Sequence, residues 1–228
     1  MQHPKVVYED NHLLVVEKPT GWLVQADETG DQTLTDWGTE YIRKKYKKPG
    51  NVFCQPCHRL DRPVGGLVIF ARTSKALQRM NKLFQEQAIS KTYLAVVEGS
   101  PKFAENDLVH WLDKDTTKNK TKAYDQPKGK AKRAALSYKM IASHGKVSLL
   151  EVRPRTGRPH QIRVQMKANG TPIRGDLKYG YPKANRDKSI DLHAFKLEFI
   201  HPVKKESFVV FSKPKWADFE AFINELDK

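Results

Sequence analysis

The apolar positions fall into blocks, and the period of each block names an element. Val6-Val7-Tyr8 and Leu13 to Val16 are short apolar runs separated by Glu9-Asp10-Asn11-His12, the pattern of a small hairpin. Pro19 and Gly21 end its second strand in a turn. From Thr33 to Tyr46, Leu34, Trp37, Tyr41 and Ile42 share one helical face. Arg43, Lys44 and Lys45 suit the negative end of that helix, and Pro49-Gly50 stops it. Gly66 to Ala71 is a continuous apolar run, expected as a strand buried on both faces. Ser74 is the expected cap of a helix with Ala76, Leu77, Met80, Leu83, Phe84 and Ala88 along its apolar stripe.

The later chain reads in the same way. Lys91 to Val97 and Leu108 to Leu112 have strand character, as does the pair Ala134 to Ile141 and Lys146 to Val152, joined at Ser143-His144-Gly145. His160 to Ala168 reads as a short helix ending at Asn169-Gly170. Leu192 to Ile200 and Ser207 to Phe211 are late strands. Pro214 leads into a C-terminal helix with Trp216, Phe219, Phe222, Ile223 and Leu226 expected inward. Asp113 to Arg133 breaks the pattern, with seven Lys, one Arg and three Asp and few large apolar residues. It reads as a long exposed loop or loose hairpin, with room for short lysine-bearing edge strands. Strands and helices intersperse without regular βαβ units. The expected class is therefore α+β, with a mixed, largely antiparallel sheet flanked by helices. No repeat and no linker between two cores is evident, so residues 1–228 are expected to form a single domain.

Charge narrows the partners. The 228 residues carry 41 Lys and Arg against 26 Asp and Glu, a formal net charge of +15. A chain this basic is suited to a polyanion, nucleic acid first. No apolar run approaches the ~18 residues of a membrane span. The start lacks a basic segment followed by a long apolar one, so no secretory signal is expected. With only Cys54 and Cys57, a disulfide scaffold is excluded and a cytoplasmic location is expected. Cys54-Gln55-Pro56-Cys57-His58 matches a haem-attachment pattern, but no export signal accompanies it. A zinc site would need a second ligand pair. Core or structural cysteines are the expected reading.

Two segments carry chemistry. In His58-Arg59-Leu60-Asp61-Arg62 a carboxylate sits between two arginines and is followed by Pro63 and two glycines. Arginines keep a carboxylate ionised and also contact phosphates. In Arg153-Pro154-Arg155-Thr156-Gly157-Arg158-Pro159-His160-Gln161-Ile162-Arg163, four arginines and a histidine crowd eleven residues. A helix starting near His160 would add its positive end to that surface. From the residues alone, a surface salt-bridge cluster fits the first segment equally well, and a solvated basic turn fits the second.

HRLDRPVGGLVIFARTSKAL resembles the catalytic segment of the RluA family of pseudouridine synthases, whose pattern is His-Arg-Leu-Asp, two variable residues, then Thr-Ser-Gly. Four further stretches resemble that family in order: VVYEDNHLLVVEKPTGWLV with its Lys-Pro-x-Gly turn, KTYLAVVEG, LEVRPRTGRPHQIRVQMKANGTPIRGDLKYG, and LHAFKLEFIHPV. Together they cover most of residues 6–203. The resemblance implies the pseudouridine synthase fold and isomerisation of uridine in structured RNA, rRNA or tRNA, without a cofactor or metal. It implies Asp61 as the essential carboxylate, Tyr93 as the active-site tyrosine and Arg163 as the arginine paired with the aspartate. Arg59 would occupy the space of the flipped nucleotide. His58, Arg62, Arg155, Arg158 and His160 would contact RNA. Val64-Gly65 stand where the pattern has Thr-Ser, and Pro159 stands where Thr is usual. Those departures touch substrate choice more than reaction type.

The chain is short at its start for the S4-like RNA-binding domain of some relatives, so the catalytic domain is expected to supply its own RNA contacts, as a monomer. Two rival readings remain. A non-catalytic RNA-binding module explains the charge but not an aspartate on that surface. A retaining nucleosidase would use Asp61 as nucleophile, but neither segment supplies the second carboxylate such enzymes use.

Overall fold

A computed structural model describes residues 3–226. The chain divides into two compact units. The first comprises residues up to Ser90 together with Ala194–Ser212, and the second comprises Lys91–His193 and the residues from Lys213 on.

In the first unit, β1 (Lys5–Glu9) and β2 (Leu13–Lys18) form the expected hairpin. Asp10 shapes its turn by accepting from the N–H groups of His12 and Leu13 at 2.8 and 2.7 Å. The first helix, α1 (Leu34–Lys45), opens on a capping box. Asp36 N–H donates to Thr33 Oγ1 at 3.1 Å, and Thr33 N–H donates to the Asp36 carboxylate at 3.0 Å. After β3 (Gln55–Pro56) comes β4 (Gly65–Ala71), buried at all seven positions. It is a central strand, between β2 and β10 (Leu192–Ile200), and its unbroken apolar run matches the burial of both its faces. The second helix, α2 (Ser74–Gln85), is capped by Thr73 rather than Ser74, because the Thr73 hydroxyl is the one that accepts from Ala76 N–H, at 3.1 Å. Ala88 falls beyond its end. On the outer side, β11 (Ser207–Phe211) pairs antiparallel with β10. Leu13, Val15, Leu67, Ile69, Met80, Leu197, Phe199 and Val210 meet in one core.

In the second unit the strand order is β5 (Ser90–Glu98), β9 (Val147–Pro154), β8 (Lys132–His144), β6 (Glu105–Asp115) and β7 (Lys120–Tyr124). Of the two readings of 113–133, the structure takes the hairpin with a lysine-bearing edge strand and not the open loop. The stretch holds the end of β6, a tight turn, and β7 as the outer strand, with Lys114 opposite Thr121 and Leu112 opposite Ala123. The hydrophobic pattern hid β7 because its inward positions are the small residues Thr121 and Ala123. The third helix, α3 (Gln161–Ala168), buries Gln161 to Met166. Val164 of α3 joins Leu112, Ala134 and Tyr179 in a small core. The C-terminal helix is short: a 3-10 turn at Ala217–Phe219 runs into α4 (Glu220–Glu225). Phe219 and Ile223, four apart, are buried, but Phe222 is exposed, contrary to the inward position expected of it. The pairs β1–β2, β2–β4, β3–β4, β10–β11, β5–β9, β8–β9, β6–β8 and β6–β7 are antiparallel, in keeping with the expected largely antiparallel sheet. No helix among the described residues is long and apolar enough to cross a membrane.

Gly66 matters to the first unit in two ways. Its φ of +113° is one that L side chains rarely adopt. A Cβ there would also meet Ala194 O at 2.4 Å and Ala194 N at 2.5 Å, both backbone atoms of β10. Gly66→Ala is therefore expected to cost ~2 kcal/mol or more of stability. Urea unfolding measures it, and an unchanged midpoint would show that β4 and β10 can part at no cost.

Candidate active site and nucleic-acid interface

Asp61 lies in the turn that feeds β4, half-buried, with Val64 N–H donating to its carbonyl at 3.0 Å. This turn is fastened to the Pro19–Trp22 turn by an ammonium. Lys18, only 1% exposed, donates through Nζ to Pro19 O at 3.1 Å, Trp22 O at 2.8 Å and Arg62 O at 3.2 Å. Gly21 N–H adds a bond to Arg62 O at 2.8 Å, and Arg62 Nε returns one to Gly21 O at 3.1 Å. Burial pushes the Lys18 ammonium down to about 7, while the negative charge of Asp61 pulls it back up. The Arg62 guanidinium also reaches Asp31 at 2.7 Å. Arg59 is exposed. His58 is held to the scaffold: Nε2 accepts from Ile69 N–H of β4 at 3.2 Å, and its ring packs 5.2 Å from that of Phe84.

The arginine-rich segment of the second unit is organised by one buried amide. Gln161 Nε2 donates to Ala135 O at 3.0 Å, and Gln161 Oε1 accepts from Thr156 Oγ1 at 2.7 Å and Arg158 N–H at 3.0 Å. Thr156 Oγ1 also accepts from Ala135 N–H at 3.0 Å. The Thr-Gly-Arg-x-His-Gln run is thus pinned to β8 at both ends. His160 takes a left-handed backbone, φ 53°, and its Nδ1 lies 2.7 Å from Tyr179 Oη. Tyr179 Oη also accepts from Thr121 N–H of β7 at 2.9 Å. Arg163, buried on α3, grips Asp176 through Nε at 2.7 Å and Nη2 at 2.9 Å, and its guanidinium stands 5.0 Å over the Tyr179 ring. Such a bidentate pair fixes the guanidinium plane.

The remaining candidates fall on the surface or a strand. Tyr93 is on β5 opposite Val152, partly exposed. Arg155 Nη2 contacts both carboxylate oxygens of Asp107, at 2.9 and 3.0 Å, and Arg158 Nε donates to Arg133 O at 3.2 Å. Exposed pairs of this kind weigh only ~0–1 kcal/mol, so they leave both guanidiniums available to a phosphate. Cys54 and Cys57 are free, their thiols pushed up to about 12 by burial, which suits packing rather than nucleophilic or metal chemistry. No metal-binding cluster exists among the described residues.

Sequence reasoning missed Lys18, Asp176 and Tyr179. Each lies in a quoted stretch, in Lys-Pro-x-Gly or in Gly-Asp-Leu-Lys-Tyr-Gly, but one lysine or tyrosine gives no sign of burial until its turn is built.

Replacing Lys18 by Met would leave three inward-facing carbonyls without their donor, an expected loss of ~3 kcal/mol. The pH dependence has a definite sign. Between about 7 and 10.5 the unfolded chain holds more protons on Lys18 than the folded chain does, so stability from this residue rises with pH across that window. The difference in urea midpoint between the wild type and Lys18→Met should widen from neutral to alkaline pH. A gap that narrows would contradict this.

Comparison with known proteins agrees with the geometry. The family model described as RNA pseudouridylate synthase matches residues 12–168. The chain is 30% identical to ribosomal large subunit pseudouridine synthase D of Borreliella burgdorferi, over 98% of this chain and 68% of that protein. It is 32% identical to tRNA pseudouridine synthase C of Vibrio parahaemolyticus, over 90% of this chain and 88% of that one. In fold it is similar to human RNA pseudouridylate synthase domain containing 4, with a TM-score of 0.76 at 22% identity over 96% of this chain and 90% of the other. Human RNA pseudouridylate synthase domain containing 1 gives 0.74 at 26%, over 96% and 87%. The chain belongs to the RNA pseudouridylate synthase family.

Proposed function

We propose that this protein isomerises uridine to pseudouridine at specific positions of structured RNA, rRNA or tRNA, with Asp61 as its essential carboxylate. The observation that carries the reading is the turn itself: an aspartate flanked by arginines and braced by a buried ammonium, within the segment that matches the family model. Relatives named for rRNA and for tRNA both match over most of the chain, so both substrate classes stand.

The reaction breaks N1–C1′, turns the uracil, and joins C5 to C1′. The C5 proton leaves and N1 gains one, so there is no net oxidation or hydrolysis and no cofactor is called for. The target base must leave its stack first, at ~a few kcal/mol, and phosphate contacts from the basic surface offset that cost. Arg59, exposed beside the carboxylate, is suited to fill the vacated space and stack on neighbouring bases. His58, Arg62, Arg155, Arg158 and His160 complete the RNA-facing set, although His58 and His160 act chiefly by holding their loops. Asp61 acts as the carboxylate, in a turn braced by Lys18. The carboxylate serves either route, addition at C1′ or removal of the 2′ proton. Tyr93 would lie against the base, and Arg163, its plane set by Asp176, would balance the carboxylate's charge. The proposed unit of action is the whole chain as one catalytic domain, monomeric and cytoplasmic.

Asp61→Asn should abolish tritium release from 5-tritiated uridine in RNA while RNA affinity stays within ~3-fold of the wild type. Substantial release by the variant would remove Asp61 from the chemistry, and free uracil among the wild-type products would favour a nucleosidase.

A further inference from the structure

A cavity of about 530 Å³ opens against the outer strand of the second unit, away from the Asp61 turn in sequence and lined by residues outside the proposed catalytic set. Its wall is the β6–β7 hairpin, with Lys118 from the turn and Lys120, Thr121, Lys122, Ala123 and Tyr124 from β7. Its opposite side is α3, with Val164, Lys167 and Ala168, and its floor is Tyr179. Four lysines face one carboxylate there, that of Asp115, and that carboxylate is already turned onto Lys118 N–H at 3.0 Å. The volume lies in the range of sites that take small organic groups.

The site is tied down although Lys118, Lys122 and Lys167 are exposed. Thr121 N–H donates to Tyr179 Oη, and Thr121 Oγ1 donates to Pro159 O at 3.0 Å, so β7 is tied to the loop that opens α3. Lys178 Nζ donates to Asn119 O at 3.0 Å, which fixes the hairpin turn. Lys120 Nζ stands 5.9 Å over the Tyr179 ring, and Lys128 Nζ stands 4.8 Å over that of Tyr124. A ring flanked by cations, beside a strand paired on one side only, matches the two needs of an unstacked nucleotide: a face for its base and positive charge for its phosphates.

We infer that this cavity binds one extrahelical nucleotide of the RNA and its flanking phosphates, with Tyr124 against the base and Lys118, Lys122 and Lys167 on the phosphates. This rests on the RNA-modifying reading and deepens it. Tyr179, the cavity floor, also bonds His160 and lies under Arg163. A strand held in the cavity is therefore joined by one ring to the arginine-rich segment that leads into α3. Arriving RNA would find the two surfaces in a fixed spacing.

The test is fluorescence anisotropy with a labelled single-stranded oligouridylate, over a range of salt. The probe variant is the triple change Lys118→Gln, Lys122→Gln and Lys167→Gln, all three at exposed positions. The control removes the same charge from α2, by Lys75→Gln, Arg79→Gln and Lys82→Gln, also exposed. The probe variant should lose at least ~10-fold in affinity, with the slope of log K against log salt shallower by about 2. The control should lose much less. Lys→Arg at the three cavity positions should restore binding, and Tyr124→Leu should weaken binding without changing the salt slope. Equal losses in the probe and control variants would mean net charge alone and overturn the inference. So would displacement by inorganic phosphate or uridine monophosphate as effectively as by the oligonucleotide, which would make this a small-anion site. The two readings fail separately. A wild type with no tritium release but cavity-dependent binding would sink only the enzymatic reading. An active wild type with a silent cavity variant would sink only this one.

Discussion

The arrangement around Asp61 depends on burying the Lys18 ammonium among backbone carbonyls. Lys18 meets three backbone carbonyls, from two turns far apart in sequence, and these three acceptors match its three N–H donors. Burying a charge costs several kcal/mol, and the cost is offset only where the partners are held in place. The two turns are therefore not free to move independently. The chain direction at Arg62, and with it the position of the neighbouring Asp61, follows from satisfying one lysine. Fixed backbone dipoles and the aspartate together define a local field that exists before any substrate arrives.

The second unit solves a related problem with side chains. Asp176 holds Arg163 at both of its matching donors, Gln161 ties the preceding loop to β8, and Tyr179 joins α3, His160 and β7 through one hydroxyl and one ring face. The positive charge of the chain consequently has two physical states. Lys18 and Arg163 are buried and held by several partners each. The guanidiniums and ammoniums of Arg155, Arg158 and the β6–β7 hairpin are exposed, loosely paired, and able to exchange their partners for phosphates.

Much of this was legible in the residues, and what was not has identifiable causes. Uninterrupted apolar runs such as Gly66–Ala71 announced their strand, because a strand covered on both faces leaves no room for polar alternation. The His-Arg-Leu-Asp and Thr-Gly-Arg-x-His-Gln stretches were visible because their chemistry is compressed into a few consecutive positions. Outer strand β7 was legible only as one of two alternatives, a lysine-bearing edge strand of a hairpin, since its inward residues are Thr121 and Ala123. Phe222 misled because hydrophobicity does not tell which side of a six-residue helix faces the core. Lys18, Asp176 and Tyr179 were silent for a deeper reason. Their role is to be buried beside a distant partner, and burial is a property of the assembled turns. The division into two units was equally hidden, because the chain passes between them three times without a linker.

Those three passages bear on how the molecule is made. Leu197, Phe199 and Val210 belong to the same core as Leu13, Val15 and Leu67, yet almost the whole second unit is translated between them. A ribosome releasing this chain exposes the N-terminal hairpin, β4 and α2 long before the strands that complete their core. During that interval the apolar edge of β4 is uncovered, and such edges are where nascent chains aggregate. The second unit, contiguous but for its tail, can fold while the first waits. The turn that carries Asp61 therefore reaches its final support late in synthesis, after the arginine-rich segment has already been built.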